Sequence, residues 1–163
     1  MPEPRWLNAE ERRTWLAYID VSMLLDDYLD RQLRRDAGIT HPDYALLSFL
    51  NIADDASLGM SELAACLKIT RSRLTHAVTR LENAGYVTRA EHPTDRRGQV
   101  AVLTPAGREL LERAAPGHVE AVRQVVFDVL TEDQAKAFGE ACRAIVNAVE
   151  GSNQPDPLPW HRR

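Results

Sequence analysis

The 163-residue chain has few of the features typical of secreted, membrane-spanning or disulfide-stabilised proteins. No run of about 18 apolar residues occurs, which argues against a membrane-spanning helix. Met1–Trp6 lacks the basic-then-apolar order of a secretory signal peptide. The two cysteines, Cys66 and Cys142, form neither a CxxC nor a Cys/His zinc spacing. We therefore expect a cytoplasmic protein without membrane contact and with two reduced thiols, a thiol switch being the alternative.

Common catalytic signatures are also absent. The sequence contains no phosphate-binding loop, no G-x-S-x-G nucleophile elbow and no H-E-x-x-H motif. Four histidines are isolated along the chain and suggest no metal-ligand set: His41, His92, His118 and His161. The acidic pairs Asp26-Asp27 and Asp54-Asp55 are better explained as solvated surface, because neighbours on a helix face different directions. We expect no enzyme activity, no cofactor and no metal.

Lysine is scarce, since Lys68 and Lys136 are the only two among 20 basic residues. Arginine codons are rich in G and C, which suggests a GC-rich bacterial source. The formal net charge is -4, but the charge is unevenly distributed. The segment Leu58–Arg108 holds eight basic and four acidic residues, a net +4, so the remainder carries -8. A basic centre on an acidic scaffold is typical of a protein that binds nucleic acid with one face.

The N-terminal part of the sequence predicts two helices. Asn8, with Glu11 three residues later, is close to a capping box for a helix that continues to about Arg35. That helix has a wide apolar stripe and is long for a small monomer, so a second chain could cover the excess apolar surface. A second helix over roughly Pro42–Ala53 is apolar nearly all round, which places it in the core. Several aromatic residues fit core positions, so no single one of them defines an effector pocket: Trp15, Tyr18, Tyr28, Tyr44 and Phe49.

The centre of the chain predicts two short helices followed by a β-hairpin. Ser61 is the expected cap of the first helix, which ends near Leu67, and Thr70 or Ser72 that of the second, which ends before Gly85. Strands are expected over Tyr86–Glu91 and Gln99–Leu103, joined by a polar turn. This order is that of a winged helix-turn-helix.

Two further helices are expected after the hairpin. The first starts at Thr104-Pro105 and runs to about Leu130, with a kink at Pro116-Gly117, and the second is capped at Thr131 and runs to Val149. The fold class is therefore mainly α with a small β-hairpin wing, a winged helix-turn-helix domain plus a helical dimerisation layer. The predicted division is 1–40 for the N-terminal helix, 41–104 for the winged helix-turn-helix domain, 105–150 for the C-terminal helices and 151–163 for an irregular tail.

The second short helix has two distinct faces. Leu74, Ala77, Val78 and Leu81 fall at the i, i+3, i+4 and i+7 positions of one buried face. The other face carries hydrogen-bonding and basic groups without a carboxylate: Ser72, Arg73, Thr75, His76, Thr79 and Arg80. A helix face with hydrogen-bond donors and no carboxylate suits base edges and phosphates in a major groove. Arg71 and Arg73 also lie near the helix N-terminus, which attracts anions. The alternative is an ordinary solvated helix face.

Two turns complete the candidate site. The hairpin tip places Arg96 and Arg97 side by side, where guanidinium groups suit a narrow minor groove and Asp95 could orient one of them. A solvated turn with a local ion pair is the alternative. In the helix-turn-helix turn, Lys68 stands where glycine is usual, and a left-handed conformation there would cost about 1 kcal/mol or slightly more.

The run from Asp95 to Gly107 fits the D-x-R-x5-L-T-x2-G wing signature of MarR-type regulators. Thr70–Val87 is similar to the recognition helix and first wing strand of the same family. This resemblance implies a homodimer joined through the first and the last two helices. It implies that Arg97 enters the minor groove with Asp95 as its partner and that Thr70 to Arg80 lies against the major groove. Such proteins are usually repressors, and many release DNA when a small phenolic or lipophilic molecule binds between the dimer helices and the winged domain.

The sequence therefore predicts a homodimeric, sequence-specific regulator that binds double-stranded DNA on a pseudo-palindromic operator. We expect a repressor, with release by a small aromatic or lipophilic effector as a further expectation. The alternative is a winged-helix module that binds protein without reading DNA. That module would not need arginine on both the helix face and the wing.

Overall fold

The computed structural model describes residues 3–92 and 98–151. The wing-tip residues Asp95, Arg96 and Arg97 and the tail 152–163 lie outside the described residues. In chain order the described elements are α1 (Ala9–Ala37), α2 (His41–Ile52), β1 (Ser57–Gly59), α3 (Met60–Cys66), α4 (Arg71–Asn83), β2 (Val87–Glu91), β3 (Gln99–Leu103), α5 (Pro105–Val122) and α6 (Glu132–Glu150). The mainly helical fold class with a small β wing is confirmed.

Helix boundaries follow the capping residues closely. Asn8 and Glu11 form the predicted capping box of α1, which ends at Gly38 in a left-handed conformation. Thr70, rather than Ser72, caps α4 by accepting from the backbone N–H of Arg73. The prediction for Ser61 is wrong, because Gly59 precedes α3 and no side chain caps that helix. Ser61 instead lies in the first turn of α3 and is available to a neighbouring side chain.

The wing is a three-stranded antiparallel sheet in the order β1-β3-β2, not a hairpin alone. Ala101 of the central strand β3 pairs with Leu58 of β1 on one side and with Arg89 of β2 on the other. Sequence reasoning placed no strand at Ser57–Gly59, because three residues are too few to show a period-two pattern. The added strand covers one edge of the hairpin and joins it to α3.

The core lies between α2, the helix-turn-helix and the sheet. Its largest fully buried side chains come from these elements and from α1: Leu33, Leu46, Leu47, Leu50, Leu63, Leu74, Val78 and Val87. Helix α2 supplies three of the eight, which confirms its predicted central position. Since each fully buried leucine or valine contributes about 1.5–3 kcal/mol, this cluster holds α4 firmly against α2 and α3.

The helices outside this core leave apolar surface uncovered. Helix α6 has no buried residue, and Phe138, Ile145 and Val149 form an exposed apolar stripe along it. Trp15 and Tyr18 stack on each other on α1, and more than half of each side chain is exposed, so the expectation that they fit the core is wrong for the single chain. Among the residues that the structure describes, no helix is both long and apolar enough to cross a membrane.

Helix α5 continues through Pro116 and then widens. The irregular part is a π-helical segment at Arg123–Phe127, several residues beyond the proline where a kink was expected. In a π-helical turn the hydrogen bonds run from i to i+5, so the segment shifts the direction of side chains before the chain turns into α6.

Candidate nucleic-acid interface

Helix α4 presents one exposed polar face and one buried apolar face. Leu74, Val78 and Leu81 are buried against the core, as the spacing predicts. All eight side chains predicted to contact a major groove are exposed: Thr70, Arg71, Ser72, Arg73, Thr75, His76, Thr79 and Arg80. The core thus orients α4 so that its donors face outwards together.

The N-terminus of α4 is favourable for an anion. The Thr70 hydroxyl accepts from the Arg73 N–H at 3.3 Å, and the first turn contains no acidic residue. Partial positive charge at a helix N-terminus adds to the charges of Arg71 and Arg73. The Arg71 guanidinium donates to the hydroxyl of Ser61 on α3, so the two helices of the helix-turn-helix are joined beside this end.

Arg80 has a partner inside the protein. Its guanidinium pairs with the carboxylate of Asp43, a residue of α2 that is 4 % exposed. Asp43 also closes the capping box of α2 with Thr40, so one carboxylate caps α2 and anchors the C-terminal half of α4. The side chain of Arg80 remains about half exposed, which leaves it at the surface with one hydrogen bond already made.

Arg89 on strand β2 joins the wing to the recognition helix. It donates to the Glu82 carboxylate at 2.6 Å, to the Thr79 hydroxyl at 2.8 Å and to the Thr75 carbonyl at 3.3 Å. These contacts hold one face of α4 at a constant distance from the sheet. Sequence reasoning did not identify this role. The available signal was strand alternation, which puts Arg89 on the same face of β2 as the buried Val87.

An open groove of about 1010 Å³ lies between the start of α4 and the sheet. Its walls carry mostly polar groups from α3, α4, β2 and β3: Ser61, Glu62, Arg71, Thr75, Thr79, Arg89, Glu91, His92 and Gln99. Gly98 at the end of the described wing lines the same groove. The exposed face of α4 and the base of the wing therefore border a single concavity.

Not every basic residue of the central segment belongs to this surface. Arg108 at the start of α5 donates to Asn51 of α2 at 2.7 Å. Lys68 adopts the left-handed conformation that its position in the turn suggested, with φ of 55°, and pairs with Glu150 at the end of α6. The predicted wing contacts Asp95, Arg96 and Arg97 lie outside the described residues, so their placement stays a prediction.

Neither cysteine is in a disulfide. Burial raises the pKa of the Cys66 thiol, and the nearby Glu62 carboxylate raises it further. A raised pKa keeps the thiol protonated and less nucleophilic at neutral pH, which disfavours a thiol switch there.

This geometry matches that of known regulators. The chain superposes on the crystal structure of Sco3205, a MarR family transcriptional regulator from Streptomyces coelicolor in complex with DNA, with a TM-score of 0.89 and 52% sequence identity. The match covers 98% of this chain and 99% of that one. The chain belongs to the MarR family of transcriptional regulators.

Other comparisons agree with this MarR-family assignment. A sequence model of the MarR family matches residues 37–98, which contain the elements from α2 to β2. AbsC, a second MarR family regulator from Streptomyces coelicolor, is 35% identical and superposes with a TM-score of 0.87. The match covers 91% of this chain and 100% of the AbsC chain. The transcriptional regulator PrsX of Escherichia coli is 31% identical over 101 residues, 62% of this chain and 60% of PrsX. The chain thus matches about 60% of the length of that curated relative.

Proposed function

We propose that this MarR-family chain acts in the cytoplasm as a homodimeric repressor that reads double-stranded DNA through α4. The observation that carries the proposal is the exposed face of α4, on which eight polar or basic side chains lie together. Hydrogen-bond donors on such a face suit both base edges and phosphate oxygens. The Streptomyces coelicolor relative that is 52% identical was solved in complex with DNA, which supports the same partner here.

The dimer would form through the helices that the core leaves uncovered. Exposed apolar side chains are concentrated on α1, on the π-helical segment and the turn after it, and on α6: Trp15, Leu16, Val21, Leu24, Phe127, Val129, Phe138, Ile145 and Val149. A patch of this kind in water favours burial against a second copy. We therefore assign residues 1–40 and 105–150 to dimerisation and 41–104 to DNA binding. Two-fold symmetry then predicts a pseudo-palindromic operator with half-sites about 10–10.5 base pairs, or a multiple, apart.

The wing would supply the second contact. Arg96 and Arg97 follow the end of β2 and precede Gly98, which lines the groove beside α4. If the tip extends on the same side as the exposed face of α4, its arginines can reach the minor groove that flanks the major groove occupied by α4. Asp95 would orient one of the two guanidinium groups.

An effector site is proposed between α1, α2 and the helix-turn-helix. A cavity of about 500 Å³ lies there, with mostly apolar walls that include Leu46, Leu67 and Ile69. This volume is within the range of small-molecule sites. An aromatic or lipophilic molecule bound at this place would touch both the dimerisation helix and the recognition unit, and could release DNA by moving one against the other.

The test is selection of bound duplexes from a random DNA pool, followed by a salt titration of the affinity for the enriched site. We expect a two-fold symmetric site and an affinity that falls steeply with salt, because phosphate contacts release counterions. Arg73→Ala and His76→Ala should change the base preference, whereas Arg97→Ala should weaken all sequences and leave the dimer intact. Arg113→Ala, at an exposed position on α5, is the matched control and should change neither.

Absence of any enriched sequence, together with an affinity for DNA that does not respond to salt, would contradict the proposal. That result would favour the protein-binding winged helix instead. Repression is tested separately, by measuring expression of a reporter gene placed downstream of the selected site with and without the protein.

A further inference from the structure

We propose that the cavity between α1, α2 and the helix-turn-helix is the docking site of the chain's own C-terminal segment, residues 152–163. This interlayer cavity has a volume of about 500 Å³ and is lined by Asp26, Asp27, Asp30, His41, Pro42, Ala45, Leu46, Leu67, Ile69 and Ala77. Docking of the segment is separate from DNA binding and can be measured in the absence of DNA.

The interlayer cavity has an apolar floor and an acidic rim. The floor consists of side chains from α2, α4 and the turn before α4, among them Leu46, Leu67 and Ile69. The rim consists of three carboxylates of α1, and His41 is the one other titratable group among the lining residues. An occupant that presents apolar groups followed by positive charge would match both parts.

The rim carboxylates are accessible to such an occupant. Asp26 is 82% exposed, and its carboxylate lies 3.9 Å from the His41 ring nitrogen Nδ1. Asp27 pairs with Arg31 at 2.9 Å, but both side chains are more than half exposed. Exposed pairs contribute only about 0–1 kcal/mol, so another guanidinium can replace Arg31 at little cost. Asp30 is held by Arg34 and by the His41 N–H, which lowers the pKa of its carboxyl and keeps it charged.

The end of α6 is joined to the turn that forms part of the cavity floor. Glu150, the last residue of α6, pairs with Lys68, and Lys68 stands between two residues of the cavity floor, Leu67 and Ile69. Gly151 follows directly after this contact. Leu158 is seven positions beyond Gly151, and an extended chain of that length has a reach of up to about 24 Å.

The sequence of the segment has the required order. Leu158-Pro159-Trp160 supplies three apolar side chains, and His161-Arg162-Arg163 follows directly with two permanent positive charges. The apolar residues match the floor, and the two arginines match the rim of Asp26 and Asp27. A lipophilic effector that enters the same cavity has to displace this segment first.

Trp160 provides the readout. In the full-length chain carrying Trp6→Phe and Trp15→Phe, Trp160 is the single tryptophan, and its quenching by acrylamide reports its access to solvent. We expect a blue-shifted emission and a Stern–Volmer constant several-fold below that of a synthetic peptide of residues 152–163. Asp26→Arg should raise the constant towards the peptide value, and adding Arg162→Glu to that variant should restore the protection.

Asp20→Arg makes the same charge change on the same helix outside the cavity and should leave the protection intact. Quenching equal to that of the free peptide, or protection that ignores Asp26→Arg, would overturn the proposal. A mixed dimer tests which chain is used. If the single-tryptophan chain with Asp26→Arg regains protection when paired with a tryptophan-free chain that has an intact cavity, the segment docks on the partner, and the assignment to its own chain is wrong.

Discussion

Individual arginines around α4 divide between contacts within the protein and open surface. Arg89 is only about one-fifth exposed and makes three hydrogen bonds to α4, whereas Arg80 is about half exposed and shares one carboxylate with the cap of α2. Arg73 is exposed at the first turn of the helix. Removal of one of these side chains can therefore weaken DNA binding either by losing a contact with DNA or by displacing the helix, and stability measurements separate the two causes.

Arg80→Ala is expected to lower the free energy of unfolding by about 1–2 kcal/mol. The substitution removes the guanidinium partner of the buried Asp43 carboxylate, which then keeps only its capping contacts. Hydrogen bonds between charged groups stabilise more than neutral ones, but the exposure of Arg80 reduces the effect. Urea unfolding measures the change. Arg73→Ala on the same helix is the control and should stay within about 0.5 kcal/mol. Equal losses from the two variants would show that the Asp43 pair contributes nothing.

We expect His118 to make the stability of the fold depend on pH. Its ring lies 4.4 Å from the ring of Tyr44 and 5.5 Å from that of His41, and its Nδ1 is 3.3 Å from the Gln32 side-chain oxygen. Burial, and then the charge of His41, lowers the pKa of His118 from its ordinary value of 6.5. Below that pH the unfolded chain binds the proton more readily than the native one, so the stabilising contribution is present above pH 6.5 and is lost as the pH falls through the native pKa.

His118→Gln should therefore flatten the fall in unfolding free energy between about pH 7 and pH 5 that the parent chain shows. Glutamine can still hydrogen-bond to Gln32 but does not titrate. Urea unfolding at a series of pH values provides the measurement, with His76→Gln as the control at an exposed position. An unchanged slope in the His118 variant would assign the pH dependence to other groups.

At the scale of elements, α5 is held to the winged domain at its first turn. Thr104 caps α5, and its hydroxyl also donates to the Gly85 carbonyl at 2.7 Å, where α4 turns into β2. Gly107 packs there without a side chain, since a Cβ would collide with the Tyr86 carbonyl oxygen and lie 2.7 Å from Leu103 Cδ1. The same helix contains Gly117. A Cβ added at Gly117 would lie 3.5 Å from its nearest neighbour, Gln32 Nε2, which is an ordinary van der Waals contact.

These two glycines predict opposite effects of one substitution. Gly107→Ala should destabilise the protein by about 2–3 kcal/mol, because the backbone of Tyr86 has to move. Gly117→Ala should stabilise it by about 0.5–1 kcal/mol, because alanine is the better helix former and the space is free. Thermal unfolding of both variants tests the pair. Destabilisation by both would mean that α5 does not tolerate a side chain at either position.

At the scale of the whole molecule, the main feature is apolar surface that the single chain leaves exposed to solvent. Helix α6 has an apolar stripe and no buried residue, and its Glu150 reaches the helix-turn-helix turn through Lys68. If α6 forms the proposed dimer contact, the same helix meets both the partner copy and, at its end, the winged helix-turn-helix. A change in how two copies pack on α6 would then reach α4 through the Lys68–Glu150 ion pair and the turn that contains Lys68.

Ile145→Glu should convert the proposed dimer to monomers or weaken it strongly, because a carboxylate would have to be buried in an apolar contact. Sedimentation velocity over a range of concentrations measures the assembly. Ala144→Glu introduces the same group one position away, at an exposed site outside the apolar stripe of α6, and should leave the assembly unchanged. If both variants behave alike, α6 is not part of the dimer contact.

The sequence was sufficient to predict features that depend on residues within one or two turns of each other. The cap of α1, the left-handed Lys68 and the two faces of α4 are of this kind, since capping and side-chain periodicity act over three or four positions. The MarR-family wing signature adds a prediction for Asp95, Arg96 and Arg97 that lies outside the described residues. These local rules were enough to identify the candidate DNA-reading helix.

Only the tertiary structure decided which of the basic side chains are already engaged. Asp43 and Arg80 are 37 positions apart, and Lys68 meets Glu150 from the far end of the chain. Such pairs form because packing of whole elements brings distant backbone segments together, and no local pattern encodes that distance. The third strand and the uncovered face of α6 have the same origin, since each depends on what lies beside it in space rather than along the chain.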